Sequence, residues 1–405
     1  MNVLQRSIKK SRIGIVVIGT LLASIGNQQP ELFGQCLNCP SSVPIPEIAQ
    51  GWNLYWHNPC QCANENCFPS TCSTAMTPTV YAMAELLPLY RDESGNIVFQ
   101  QDGPAGNLNV LTSGGFNSDF NAGGRFLLGA SLGDYYRLEG SFLGAYQWGD
   151  TQTVRNQDAN ALGGTGNLYS PFSDFGNSPA IERVDYNDLA SIDFSSNMSN
   201  FELNLRRRVQ LLADQNFHRD SLFNQGDPLL FNRRAEASFL IGIRYMTIDE
   251  TFGYHTESTT TNISSVDVDV TTTNTMLGAQ VGFLSQFLIL PKTWIDFDVK
   301  GVLFQNAIEV TSSYANTDPP GTTFNGSDDH NRTAFLGELS LTYNHQVSRA
   351  LTFRAGYSAI WVTQVALATR NFTDNLYLAE KGPVEARNDG DVVYHGPSLG
   401  LVLAF

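Results

Sequence analysis

From residue 78 to the C-terminus, apolar and polar positions alternate along the chain. The stretch Arg137–Trp148 reads RLEGSFLGAYQW: Leu138, Gly140, Phe142, Gly144, Tyr146 and Trp148 share one face, and Arg137, Glu139, Ser141 and Gln147 the other. A period of two sustained this long predicts a strand, not a helix. The pattern recurs over 235–245, 276–288, 295–303, 335–345 and 351–361. Soluble sandwiches alternate as well. These runs, at about 10–16 residues, exceed the usual ~5–6 of soluble sheets and suffice for the ~9–11 that cross a bilayer when tilted.

Two further patterns point the same way. Aromatic residues stand near strand ends on the apolar face (Tyr136, Tyr146, Trp148, Tyr245, Tyr343, Tyr357, Trp361), where an interfacial girdle would lie. Short polar links such as Gly133–Asp134 and Pro291–Lys292 alternate with long ones over 149–198, 210–233 and 312–331. The last alternating run, Leu399, Leu401, Leu403 and Phe405, carries the period to an aromatic final residue. The predicted fold is all-β: a transmembrane, antiparallel, up-and-down β-barrel of about 12 strands, within 10–14, an even number that removes every edge.

The N-terminal part reads differently. Arg6, Lys9, Lys10 and Arg12 precede the apolar run Ile13–Ala23, and the small residues Ser24 and Gly26 suit a signal-peptidase site. Residues 1–26 are therefore expected to be a signal peptide, 27–77 a separate segment and 78–405 the barrel. The six cysteines, Cys36, Cys39, Cys60, Cys62, Cys67 and Cys72, all fall in that middle segment. In an exported chain an even cluster predicts disulfides, with zinc as the rival because Cys36/Cys39, Cys60/Cys62 and His57 have ligand-like spacing. Such a short, proline-bearing stretch needs a staple and suits a cap or plug.

Composition narrows the function. The chain has 405 residues, 42% of them hydrophobic, and a formal net charge of −15. It lacks the basic footprint of a nucleic-acid binder. Beyond the leader no apolar run reaches the length of a membrane-spanning helix. Assigning faces by alternation turns Arg125, Arg137, Arg206, Arg244, Lys300 and Arg354 inward, with Glu85, Glu139, Glu202, Glu236, Asp296, Asp298 and Glu338. A strongly selective pore would show one sign of charge. This balanced set suggests pairs across neighbouring strands that brace the wall and narrow the lumen. The remaining acid falls in the long links, 149–198 above all.

Catalytic patterns carry little weight. Ser131 and Ser398 both sit in G-x-S-x-G, but within alternating strands rather than at the strand-to-helix elbow that chemistry requires. His218, His255, His330, His345 and His395 are scattered; Asp267 and Asp269 share a strand face without an EF-hand frame. No catalytic residue, metal ligand or cofactor is expected.

The segments AGGRFLLGASLGDYYRLEGSFLGAYQW, FELNLR, RAEASFLIGIRY, MLGAQVGFLSQF, TWIDFDVKGVL and LSLTYNHQVSRALTFRAGYSAIWVTQV, followed by HGPSLGLVLAF, resemble the beta-barrel porin-7 family of outer-membrane proteins. The resemblance runs from about residue 78 to 405 and leaves out the cysteine-rich segment. It implies an outer-membrane barrel. The leading functional expectation is passive diffusion of small hydrophilic solutes, with membrane lipid as the other partner. The alternative is a structural or adhesive barrel with an occluded lumen, acting through its acidic loops. A barrel-embedded hydrolase is a distant third.

Overall fold

The computed structural model describes residues 80–405 other than 94, 105, 117–118, 133–135, 157–166, 178–179, 182–183, 210–234, 259–263, 291, 319, 349 and 382–384. The expected leader, the six cysteines, the link 210–233 and His218 lie outside the described residues.

Fourteen strands are described: β1 (Val80–Leu86), β2 (Tyr90–Glu93), β3 (Val98–Asp102), β4 (Leu108–Thr112), β5 (Gly124–Leu132), β6 (Tyr136–Arg155) and β7 (Leu168–Tyr169) in the first half. The second half holds β8 (Leu189–Val209), β9 (Ala235–Ser258), β10 (Ser264–Leu290), β11 (Thr293–Asn316), β12 (Thr322–Gln346), β13 (Leu351–Val365), the short helix α1 (Leu376–Lys381) and β14 (Gly390–Ala404). Ten of these form one antiparallel ladder in the order β1-β5-β6-β8-β9-β10-β11-β12-β13-β14, and β14 pairs back onto β1. The pairing thus returns to its start as a ring of ten, the lower end of the expected range. Among the described residues no helix is long and apolar enough to cross a membrane.

The count is lower because chain that reads as separate strands does other work. β1 and β2 are two parts of one staggered run. Leu86 pairs with Leu399, and Tyr90 with His395, in the same register. Pro88, which has no N–H to give a ladder, marks the interruption. β3, β4 and β7 leave the ring and form a small sheet of their own in the order β4-β3-β7.

Strand length departs further from expectation. β10 spans 27 residues, and β9 and β11 span 24 each. The segment 312–331, expected to be a long loop, is strand except at its five-residue turn, and residues 149–155 and 189–198 extend β6 and β8. The outward face explains the extra length. On β9 it runs Phe239, Ile241, Ile243, Tyr245 and then changes to Thr247, Asp249 and Thr251; β12 changes between Phe335 and Thr333. The changes fall side by side: Thr247 pairs with Thr275, Leu277 with Gln305, and Gln305 with Thr333. An apolar belt thus ends along one row, and the wall continues above it with a polar outer surface.

One face assignment is overturned. Tyr146 and Trp148 point inward and are buried, not lipid-facing. A bulge between Leu143 and Tyr146, with Ala145 at φ 69°, shifts the register of β6 and reverses its alternation. A bulge re-aims every side chain beyond it. Tyr136, Tyr245, Tyr343, Tyr357 and Trp361 are exposed on the outer face as expected. So are Leu399, Leu401, Leu403 and Phe405. Trp361 lies over Gly337 of the neighbouring strand, in space that any side chain there would fill.

Inside the ring the polar interior gives way to two apolar layers. A collar buries Leu143, Tyr146, Trp148, Met198, Met246, Ile248, Met276, Phe304, Leu336, Ile360, Val362 and Tyr394 with Leu87, Leu89 and Leu367. A second cluster fills the extended end of the wall. There Phe99 of β3, Phe172 and Phe372 pack on Phe252 and Tyr254 of β9, with ring centroids 4.5–6.0 Å apart. The small sheet and α1 are therefore the filling of that end.

Candidate functional site: the interior of the barrel

Below the collar, at the level of the apolar belt, the charged residues predicted from alternation meet. Glu202 of β8 faces Arg244 of β9 in the ladder, Lys300 of β11 faces Glu338 of β12, and Glu85 of β1 faces Arg125 of β5. Each is an ion pair between neighbouring strands, at 3.5, 3.4 and 3.7 Å respectively. The pairing does not stop at the wall. Arg125 reaches Glu338 at 2.8 Å, Arg244 reaches Glu338 at 2.7 Å, and Lys300 reaches Glu202 at 3.1 Å. Those partners stand on strands that are not neighbours in the ring, so the bonds run through the interior. Three cations and three carboxylates form one network, with Arg244 fully buried and Glu202 and Glu338 nearly so. The expectation of pairing across adjacent strands captured half of this arrangement; the bonds across the interior are the other half.

A second group lies towards the end of the ring where β1 begins and β14 ends. Arg206 bonds Glu139 at 3.2 Å and approaches Asp298 at 3.6 Å; the Tyr81 hydroxyl donates to Glu139 at 2.6 Å. The guanidinium of Arg137 stands 6.0 Å from the Tyr81 ring. Gln286 donates to Asp296 at 2.8 Å, Arg354 meets the Met83 sulfur at 2.9 Å, and Glu236 pairs with Arg208. All thirteen residues predicted to face inward are thus engaged within the ring, in more than one group. A network with balanced charge in a low-dielectric interior holds itself in place, because each ion supplies the solvation its neighbours lost.

Sequence reading missed a further polar layer above the collar. Arg91 of β2 bonds Glu250 of β9 at 2.6 Å and Glu93 at 3.4 Å, and it lies over the Phe194 ring at 4.7 Å. Glu250 was within reach of the period-two rule, which continues inward from Arg244 through Met246 and Ile248. Arg91 was not, because β2 is only four residues long and follows a proline. Beside this layer is a cavity of about 90 Å³ lined by Arg91, Glu93, Gly114, Phe116, Trp148 and Phe194, among others.

The family model described as beta barrel porin-7, BBP7, matches residues 98–405. The chain belongs to this family. It is an outer-membrane β-barrel protein. No curated relative matches it. Among solved structures it is similar to a major outer membrane protein of Thermus thermophilus, at 13% identity and a TM-score of 0.26 over 81% of this chain and 99% of that one. It is also similar to a FadL homologue of Pseudomonas aeruginosa, at 11% identity and TM-score 0.23 over 81% and 90%. A third is OmpT, an outer membrane protein of Vibrio cholerae, at 10% identity and TM-score 0.20 over 81% and 98%.

In this porin-7 chain the catalytic patterns fall where the sequence placed them. Ser131 and Ser398 lie inside β5 and β14, with no strand-to-helix elbow at either. Asp267 is engaged by His255: Nδ1 of the imidazole lies 2.6 Å from its carboxylate, and Nε2 lies 3.2 Å from Glu257. These three stand on the polar wall above the belt. Partial burial alone would lower the His255 pKa, but hydrogen bonds with Asp267 and Glu257 outweigh it and raise it.

Proposed function

We propose that this porin-7 barrel is a passive channel for small hydrophilic solutes, shut at rest, and that it performs no catalysis. The observation that carries the reading is the interior network of Glu85, Arg125, Glu202, Arg244, Lys300 and Glu338. It gives the membrane-spanning level a polar interior, and it closes that level with side chains rather than backbone. Side-chain pairs can exchange partners without unfolding a strand. The mixed charge supports weak ion selectivity, since neither sign dominates. Membrane lipid covers the outer belt. The cysteine-rich segment, by its composition, is proposed as a disulfide-tied cap or plug, and residues 1–26 as the export signal.

A second reading has its own support. The collar from Met198 to Tyr394 is buried and apolar, which favours an occluded structural or adhesive barrel acting through its polar extension. Single-channel recording of the refolded mature protein in a planar bilayer separates the two. Discrete steps, whose reversal potential shifts towards anions when Asp296 and Asp298 are exchanged for lysine, support the channel. Silence from a barrel verified as folded supports the occluded form.

A further inference from the structure

The chain leaving β13 does not return over the outside. At Gln364, with φ 61°, a second bulge breaks the β13–β14 register, and residues 366–369 turn into the interior, where they are fully buried. Gly390 opposite makes the room: a side chain there would stand 2.5 Å from Leu367 Cγ. The partners that hold this segment come from distant parts of the wall. Asn274 of β10 clamps Ala366, donating to its carbonyl at 2.7 Å and accepting its N–H at 2.8 Å. Glu250 of β9 accepts the Ala368 N–H at 3.1 Å. Glu93 of β2 accepts the Thr369 hydroxyl at 2.6 Å. Round the ring β10 and β9 are three and four strands from β13, so the segment reaches well across the lumen.

Its side chains tie two layers together. Leu367 belongs to the collar, whereas Ala366, Ala368 and Phe372 belong to the upper cluster. Asn371 then donates its side-chain amide to the carbonyls of Leu367 and Arg387, which brings the returning chain alongside. The latch carboxylate Glu93 also lines the cavity of about 90 Å³, room for several waters.

We propose that residues 366–372 form a displaceable strap in the lumen, latched by Asn274, Glu250 and Glu93, and that opening the passage requires its release. The inference rests on the channel reading above. The wall groups that hold the segment can bond water in its place, and what opposes its release is those hydrogen bonds together with the burial of Leu367 and Phe372. The released state is therefore a minor population, which loss of one hydrogen bond enlarges about fivefold.

Single-channel recording of the full mature chain tests this, with folding checked by heat-dependent gel mobility. Thr369→Val removes only the bond to Glu93 and keeps the side-chain shape; Asn274→Ala removes the clamp. The expected result is about a fivefold higher open probability for Thr369→Val, with the current of each open event unchanged. Thr369→Ser, which keeps the hydroxyl, is expected to behave as the parent does. Should Asn274→Ala fail to fold, Thr369→Val and Thr369→Ser still decide. Conduction by the parent with identical open probability in Thr369→Val overturns the strap and leaves the channel reading standing. Silence from every folded variant overturns both.

Discussion

His255 shows how a single side chain on the polar wall acquires a pH response. Asp267 faces it from β10 at 2.6 Å, Glu257 on its own strand lies at 3.2 Å, and Ser191 stands opposite on β8. The folded imidazole has a raised pKa, so its contribution to stability is complete below the unfolded value of about 6.5 and is lost as pH rises through the folded value. An NMR titration of His255 is expected to have its midpoint above ~6.5, and Asp267→Asn to bring it down; an unchanged midpoint in Asp267→Asn would show that the carboxylate does not set it. The interior network makes a different demand on one residue. Glu338 touches Arg125, Arg244 and Lys300, so Glu338→Gln leaves three buried cations with two carboxylates. Breaking a buried pair costs about 3–5 kcal/mol. Urea unfolding of the refolded barrel should show a loss of that order, and a loss under ~1 kcal/mol would mean the cations are solvated by water instead.

At the scale of the strand, what was legible in the sequence was whatever depends on neighbours two residues apart. The lipid-facing rows of β9, β11, β13 and β14 were readable because alternation is local. The inward turn of Glu85, Arg125, Glu202 and their partners followed from the same rule. Three things were not readable. The β6 bulge depends on Ala145 holding φ 69°, a choice that the surrounding ladder dictates. Residues 149–155, 189–198 and 312–331 of the upper wall read as loops because Thr, Ser, Asp and Asn crowd their outer faces, although Ala190, Ile192 and Phe194 keep the period on the inner one. The bonds across the lumen join residues far apart in the chain, 213 positions for Arg125 and Glu338, and no periodicity reports them. The bulge has a measurable consequence. Deleting Ala145 removes the extra residue, so that Leu143, Gly144 and Tyr146 alternate without a bulge and Tyr146 and Trp148 stay inward. The Tyr146 hydroxyl keeps its bond to the Leu87 carbonyl and the Trp148 indole its bond to that of Leu89. The deletion variant is expected to assemble with a stability in urea close to wild type; failure to assemble would show that the wall needs the bulge itself and not only the direction of the two aromatics.

For the whole molecule, the outer surface divides the barrel into a part that lipid covers and a part that water covers, and the division predicts where charge is tolerated. Phe239 and Thr251 both point outward from β9, twelve residues apart along one strand, and both are exposed. Their surroundings differ. Phe239 packs against Phe283 of β10 within the apolar belt, with ring centroids 5.2 Å apart. Thr251 hydrogen-bonds Ser195 at 2.6 Å on the polar wall. An arginine on the lipid face at mid-depth costs roughly 2–4 kcal/mol, and one near the interface ~0–1. Phe239→Arg should therefore impair insertion into lipid vesicles and lower the stability of what inserts by that amount. Thr251→Arg should leave both close to wild type, because its guanidinium remains in water. The pair isolates the position of the belt from any general effect of adding an arginine to β9. Equal losses in the two variants would mean that the wall above Thr247 is also embedded. Equal tolerance would mean that the row of Phe239, Ile241, Ile243 and Tyr245 faces something other than lipid.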